Sequence, residues 1–383
     1  MSHASDGRIF VFMLILVSLV VLWEKKIKFV SSSVFALILG ICVSLIWKTT
    51  TAEAFEFAPE IFLYLLLPPM LLRSSFEFEL SSVKQNWLAS ITFAFLGTLF
   101  SMAWIAIGIL VWTRQMQLDI SVAKAFLYAS VLAPTDTVAT MGMTRSLVMK
   151  DKYIFQVLEN ESVMNDALSV VLVHIFKSMV DSDRQLDRWI PFDVIFSSIW
   201  TSALSLALGV AFSLVMLRTK ASSLTVHYLM SFLLYALCEC LELSGILGIF
   251  VYGVLIQPPR HFKESVVSIS TIVEAYVYLM LGLAFQTYDW LCLRQSLLVF
   301  VSCIVGRAWM SFIFGLCLSK FNPRWTMKSM LFFSMCGVRG AISYALSMAL
   351  DDDFIKSTTF VVIVCTILVF GTFQKCLLHM LLL

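Results

Sequence analysis

Apolar and charged positions alternate along this chain on the length scale of a bilayer. Apolar runs of roughly 17 to 25 residues, enough to cross a hydrocarbon core as a helix, are separated by short charged stretches. Thirteen runs are read, near 8–23, 31–47, 57–74, 86–113, 122–145, 155–180, 190–217, 222–241, 243–257, 264–286, 294–319, 326–350 and 355–382. The pattern predicts an all-α polytopic membrane protein with about 13 transmembrane helices. An amino terminus outside places Lys25, Lys26, Lys28, Arg73, Lys84, Arg145, Lys150, Lys152, Arg260, Lys263 and Lys320 in inner loops, while Glu53, Glu56, Glu60 and Asp351-Asp352-Asp353 fall outside. That asymmetry is the one expected of loops sorted by Lys and Arg.

Two runs carry residues that break a helix. In the fifth, Ala133-Pro134-Thr135-Asp136 sets a proline mid-span, removing a backbone hydrogen bond beside threonines that can re-satisfy the freed groups. In the twelfth, Gly337-Val338-Arg339-Gly340 places two glycines around an arginine at similar depth. Interrupted helices at corresponding positions of two halves point to a transporter site near the midplane. Their fifth and twelfth places suit two inverted six-helix repeats joined by the seventh helix. Facing half-helix ends carry partial charges of opposite sign, which one acid and one base, Asp136 and Arg339, can neutralise.

The sixth run holds the densest polar group, Glu161-Ser162-Val163-Met164-Asn165-Asp166-Ala167-Leu168-Ser169. On a helix Ser162, Asp166 and Ser169 share one face, with Glu161 and Asn165 on its flank. Intramembrane carboxylates face the bundle interior or a water-filled path and mark ion or proton routes. Polar residues also glue helices together, but two acids within six residues exceed what glue needs. Arg307, mid-span in the eleventh run, needs a carboxylate partner, and Glu161 is the candidate.

Composition narrows the classes further. With 60% hydrophobic and 14% charged residues the chain is no soluble globule, and a net charge of +2 gives no sign of nucleic-acid binding. The nine cysteines are scattered without metal-ligand spacing, and Cys238 and Cys240, two apart on one helix, point in different directions. The first apolar run ends in Glu24-Lys25-Lys26 instead of a small-residue cleavage site, which reads as a spanning helix. No nucleotide loop, metal cluster or nucleophile elbow is found, so no enzyme activity and no cofactor are expected.

At Leu67-Pro68-Pro69, Pro134-Thr135-Asp136, Glu161-Ser162 through Asn165-Asp166, and Gly337-Val338-Arg339-Gly340-Ala341-Ile342, the sequence resembles the monovalent cation/proton antiporters, specifically the sodium/proton exchanger family. Ser244-Gly245-Ile246-Leu247 and Gly306-Arg307-Ala308 add to the match. The resemblance implies a homodimer in the lipid bilayer of the plasma membrane or an endomembrane (endosomal, Golgi or vacuolar). It implies a dimerisation part near 8–74 and 222–286, an ion-translocating core near 86–180 and 294–382 with two crossed broken helices, and a linker helix near 190–217. By it Asp166 carries the cation or the proton by turns, and Asn165 marks electroneutral exchange of Na+ or K+ for H+. Ser162 and the Thr135 backbone match positions that help hold the cation, Glu161 with Arg307 matches a structural ion pair, and Asp136 with Arg339 matches the charge compensation argued above.

Departures from the family's pattern qualify these expectations. Thr137 and Asn160 stand where proline and glycine are common. Arg73 stands where an acid often follows Leu-Pro-Pro, and a cation at the inner funnel is expected to oppose cation entry. The sequence runs to Leu383, at the end of the last apolar run, without the long cytoplasmic regulatory tail of most animal plasma-membrane relatives, and offers no basis for arguing tail-borne regulation. A non-transporting pseudo-exchanger serving as sensor or scaffold is the alternative; intramembrane proteolysis by Asp136 and Asp166 leaves Arg339 and Arg307 without a part. Glu239 and Glu242 read as interfacial or dimer-facing, Glu274 as a pairing group at the dimer surface, and His174 as a packed side chain.

Overall fold

The computed structural model describes residues 13–22, 32–50, 61–78, 80–115, 120–136, 152–181, 192–219, 223–286 and 292–382. All secondary structure among them is helical. Thr137, the second half of the fifth run and the loop cations Lys25, Lys26, Lys28, Arg145 and Lys150 lie outside the described residues.

In chain order the helices are α1 (Met13–Leu22), α2 (Ser32–Thr50), α3 (Leu67–Glu77), α4 (Leu80–Gln85), α5 (Trp87–Gln115), α6 (Val122–Val131), α7 (Lys152–Asp181) and α8 (Phe192–Thr219). There follow α9 (Leu224–Cys240), α10 (Gly245–Ile256), α11 (Arg260–Leu283), α12 (Leu293–Ser319), α13 (Met327–Met335), α14 (Ala341–Met348) and α15 (Asp353–Leu382). Six helices among the described residues are long and apolar enough to cross a membrane. The protein is a multi-pass, all-α membrane protein. On α8, Phe196, Ile199, Trp200, Leu214 and Leu217 are exposed, as suits a helix with lipid for solvent.

Local chemistry sets the helix ends. Pro68 and Pro69 open α3, and the residues just before them, Phe62–Leu66, widen into a π-helical turn where the two missing N–H groups would have bonded back. The apolar stretch 222–257 divides as its pattern predicts. Glu242 takes a positive φ of 56° between α9 and α10, and the Ser244 hydroxyl caps α10 by accepting from the Leu247 N–H. Ser121 caps α6 in the same way, and Thr326 forms a reciprocal capping box with Ser329 at α13.

Helices α2 and α11 pack closely, and α3 lies against both α10 and α11. Elsewhere α5 packs on α12 and α6, α6 on α7, and α15 on α12 and α14. Gly40 and Gly282 mark the crossing of α2 and α11. A Cβ on Gly282 would meet the Leu37 carbonyl oxygen and the Gly40 Cα, and one on Gly40 would meet the Leu279 carbonyl. Backbone faces backbone there, with no flexible side chain to yield. Gly282→Val is therefore expected to cost about 1–3 kcal/mol or more, read as a lowered thermal midpoint in detergent; an unchanged midpoint would show that the two helices part without loss.

Candidate functional site

Both predicted breaks are present, and they meet. Helix α6 stops at Val131, and residues 133–136, with Pro134 among them, are non-helical. Helix α13 stops at Met335, and residues 336–340 run non-helically to α14. The two segments touch through their backbones, the Asp136 N–H donating to the Val338 carbonyl at 2.7 Å.

A charged side chain sits at each exposed helix end. Arg339 is fully buried, and its Nη1 donates to the Ala133 carbonyl at 2.7 Å and the Pro134 carbonyl at 3.1 Å. A cation thus satisfies carbonyls that the end of α6 leaves without partners, at the negative pole of that helix. The Asp136 carboxylate lies against Gly340, which precedes the positive, amino-terminal end of α14. Any Cβ at 340 would collide with that carboxylate, so glycine is required for the approach. Asp136 and Arg339 each face a helix end. The Asp136 carboxylate also accepts from the Tyr278 hydroxyl on α11, at 2.6 Å.

Helix α7 supplies the wall opposite the break. The Ser162 hydroxyl donates to the Thr135 carbonyl at 2.7 Å, and Asn165 Nδ2 donates to the Thr135 hydroxyl at 2.9 Å and to Glu161 Oε1 at 3.3 Å. Glu161 and Arg307 are 1% and 2% exposed and form a two-pronged ion pair, with Nη2 to Oε2 at 2.9 Å. The guanidinium also stacks 4.8 Å from the centre of the Phe333 ring. Asp166 follows Asn165 on the half-buried face of α7. Among the described residues no hydrogen bond or ion pair holds its carboxylate. Asn165 Oδ1 and Ser169 Oγ are buried oxygens likewise without a hydrogen-bond partner among the described residues.

The eight residues named from sequence, Thr135, Asp136, Glu161, Ser162, Asn165, Asp166, Arg307 and Arg339, thus gather around one crossing. Chemically this is an oxygen-rich wall beside one carboxylate, a donor set suited to a hard cation or a proton.

Other positions differ from their sequence reading. Arg73 is no free cation: its Nε pairs with Glu77 at 3.2 Å and its Nη1 with Glu274 at 3.3 Å, so two carboxylates answer its charge. Glu274 is buried and also accepts from Ser33 at 2.9 Å. His174 is exposed on α7 instead of packed. Asn160 is buried and donates to Ser90 at 3.0 Å and Ser82 at 3.3 Å, which gives it a bracing job between α7 and both α4 and the start of α5. Cys238 is buried and Cys240 exposed, as their spacing predicts. Tyr278 carries no sequence signal beyond lying four residues after Glu274 on one helix face.

The sequence profile described as sodium/hydrogen exchanger, transmembrane, matches residues 12–382. Among curated proteins the chain is 27% identical over 400 residues to sodium/hydrogen exchanger 8 of Homo sapiens, covering 94% of this chain and 68% of that one. It is 24% identical to sodium/hydrogen exchanger 1 of Dictyostelium discoideum, covering 95% of this chain and 58% of that one. Among solved structures, the sodium proton antiporter MjNhaP1 from Methanocaldococcus jannaschii superposes with a TM-score of 0.76 at 17% identity, covering 100% of this chain and 98% of that one, a likeness of fold. With all but its first residues and its last inside that profile, the chain belongs to the sodium/hydrogen exchanger transmembrane family.

Proposed function

We propose that this chain exchanges Na+ or K+ for H+ across a membrane, one for one, with Asp166 carrying the cation and the proton by turns. The observation that carries the reading is an unclaimed carboxylate, Asp166, beside the partnerless Asn165 Oδ1 at the meeting of two helix breaks. Asp166, Asn165, Ser162 and Thr135 form the cation and proton site. Glu161 with Arg307 keeps α7 in place, and Asp136 with Arg339 offsets the helix ends.

Coupling follows from electrostatics. A bare carboxylate in a low-dielectric path is costly, so the site crosses cheaply only when a proton or a cation neutralises it. An amide at 165 in place of a second acid supports a single exchanged charge. The core of 86–180 and 294–382 moves against a dimerisation part of 8–74 and 222–286, with α8 as linker, in a homodimer of the plasma membrane or an endomembrane.

Cation-dependent proton flux in proteoliposomes, under an imposed potential, tests this. An electrogenic exchanger moving one net charge would gain about 2.3 kcal/mol per 100 mV, roughly fifty-fold in the ion ratio at which flux stops. We expect flux with sodium or potassium whose stopping ratio does not move with the potential. A potential-dependent ratio would sink the one-for-one stoichiometry, and no flux with any alkali cation would sink exchange itself.

A further inference from the structure

Tyr278 belongs to neither set of residues assigned above, yet it reaches the crossing from outside. Its helix, α11, is fastened to α2 and α3: one turn before Tyr278, Glu274 accepts from Ser33 of α2 and pairs with Arg73 of α3, whose other partner is Glu77. Asp136 is fastened separately, its backbone N–H on the Val338 carbonyl and its carboxylate against Gly340. The 2.6 Å bond from the Tyr278 hydroxyl to Asp136 Oδ2 therefore joins two bodies that are each anchored on their own side. A hydroxyl donating to a carboxylate is among the stronger hydrogen bonds, and here the tyrosine is fully buried while Asp136 is partly so.

We propose that Tyr278 is a positioning residue for the exchange cycle: its hydrogen bond to Asp136 latches the breaks to α11 in the conformation seen here and must open when the core moves. The inference rests on the exchange reading above. It also gives Arg73 a task. Instead of repelling cations, Arg73 holds Glu274, and so the Tyr278 turn of α11, in register with Asp136.

A latch that exists in one conformation biases the equilibrium between two. The face whose binding-competent state the latch favours shows tighter apparent cation binding, and the opposite face shows weaker binding. Losing a hydrogen bond to a charged group should shift that balance roughly tenfold or more.

The test is half-saturating sodium measured from each face in turn, with the full chain reconstituted in one orientation, for wild type and Tyr278→Phe. We expect the ratio of the two values to change roughly tenfold with the thermal midpoint held. Placing 4-aminophenylalanine at 278, which restores a donor at the same reach, should bring the ratio back. An unchanged ratio with flux intact overturns the latch alone. A Tyr278→Phe chain that does not fold also overturns it, because the contact then belongs to the fold and not to the cycle. Absence of flux in wild type overturns the exchange reading, and the latch with it.

Discussion

Asp166→Asn is expected to reduce cation-driven proton flux by roughly a hundredfold or more, equivalent to about 3 kcal/mol, while the protein stays folded. The side chain keeps its size and loses its ability to bind a proton or neutralise a cation. No described contact is broken by the change, since no hydrogen bond or ion pair among the described residues holds the Asp166 carboxylate. The thermal midpoint should hold, because neutralising a half-buried carboxylate removes a desolvation cost and no partner. Flux is read with a pH-sensitive dye trapped in proteoliposomes after a sodium or potassium step. Flux at the wild-type rate in Asp166→Asn would move the exchanged proton to another group. Asp136 is the next candidate, since the residue before it, Thr135, bonds to Ser162 and Asn165 of α7. Loss of flux together with loss of folding would instead give Asp166 a structural role. The two readouts separate these cases.

How far the sequence carries this picture depends on which forces act locally. Helix positions follow from apolar runs because the bilayer dictates their length, and the breaks follow because proline and paired glycines act on their own backbone. The turn at Glu242 is legible for the same reason: polar residues interrupt an apolar run. Partners across the bundle are harder. Glu161 and Arg307 are readable as a pair since each is a buried charge that needs its opposite. Arg73 misleads. Read as an isolated cation it opposes cation entry, but Glu274, 201 residues later, answers it. Nothing in the spacing of those two residues announces that α11 returns beside α3. Tyr278 is illegible for a related reason: ten tyrosines lie in the chain, and only packing singles out the one whose hydroxyl meets Asp136. The cysteines and the long list of apolar side chains carry no such surprise, since burial among neighbours of the same kind asks for no particular partner.

The second large effect is expected at Arg307. Arg307→Met should destabilise the protein by about 3–5 kcal/mol, because it strands Glu161 as a buried charge without its partner. Glu161 is 1% exposed, and among the described residues its remaining hydrogen bond is the 3.3 Å contact from Asn165, too little to solvate a carboxylate. The stacking of the guanidinium on Phe333 is lost as well. The loss is read as a fall in thermal midpoint or in the monodisperse fraction by fluorescence size exclusion. The double variant Glu161→Leu with Arg307→Met removes both charges together, and apolar replacement of a whole buried pair is often neutral or better for stability. We therefore expect it to recover most of the stability, to within about 1–2 kcal/mol of wild type. Exchange should not recover with it. Glu161 also accepts from Asn165, the amide that in turn donates to the Thr135 hydroxyl, so a leucine at 161 frees Asn165 to turn away from the break. If the double variant regains full flux along with its stability, the pair serves only to hold α7 against α12, and Asn165 needs no brace from it. If neither returns, the ion pair does more for the fold than offset its own desolvation, and the crossing depends on the charge of Arg307 itself.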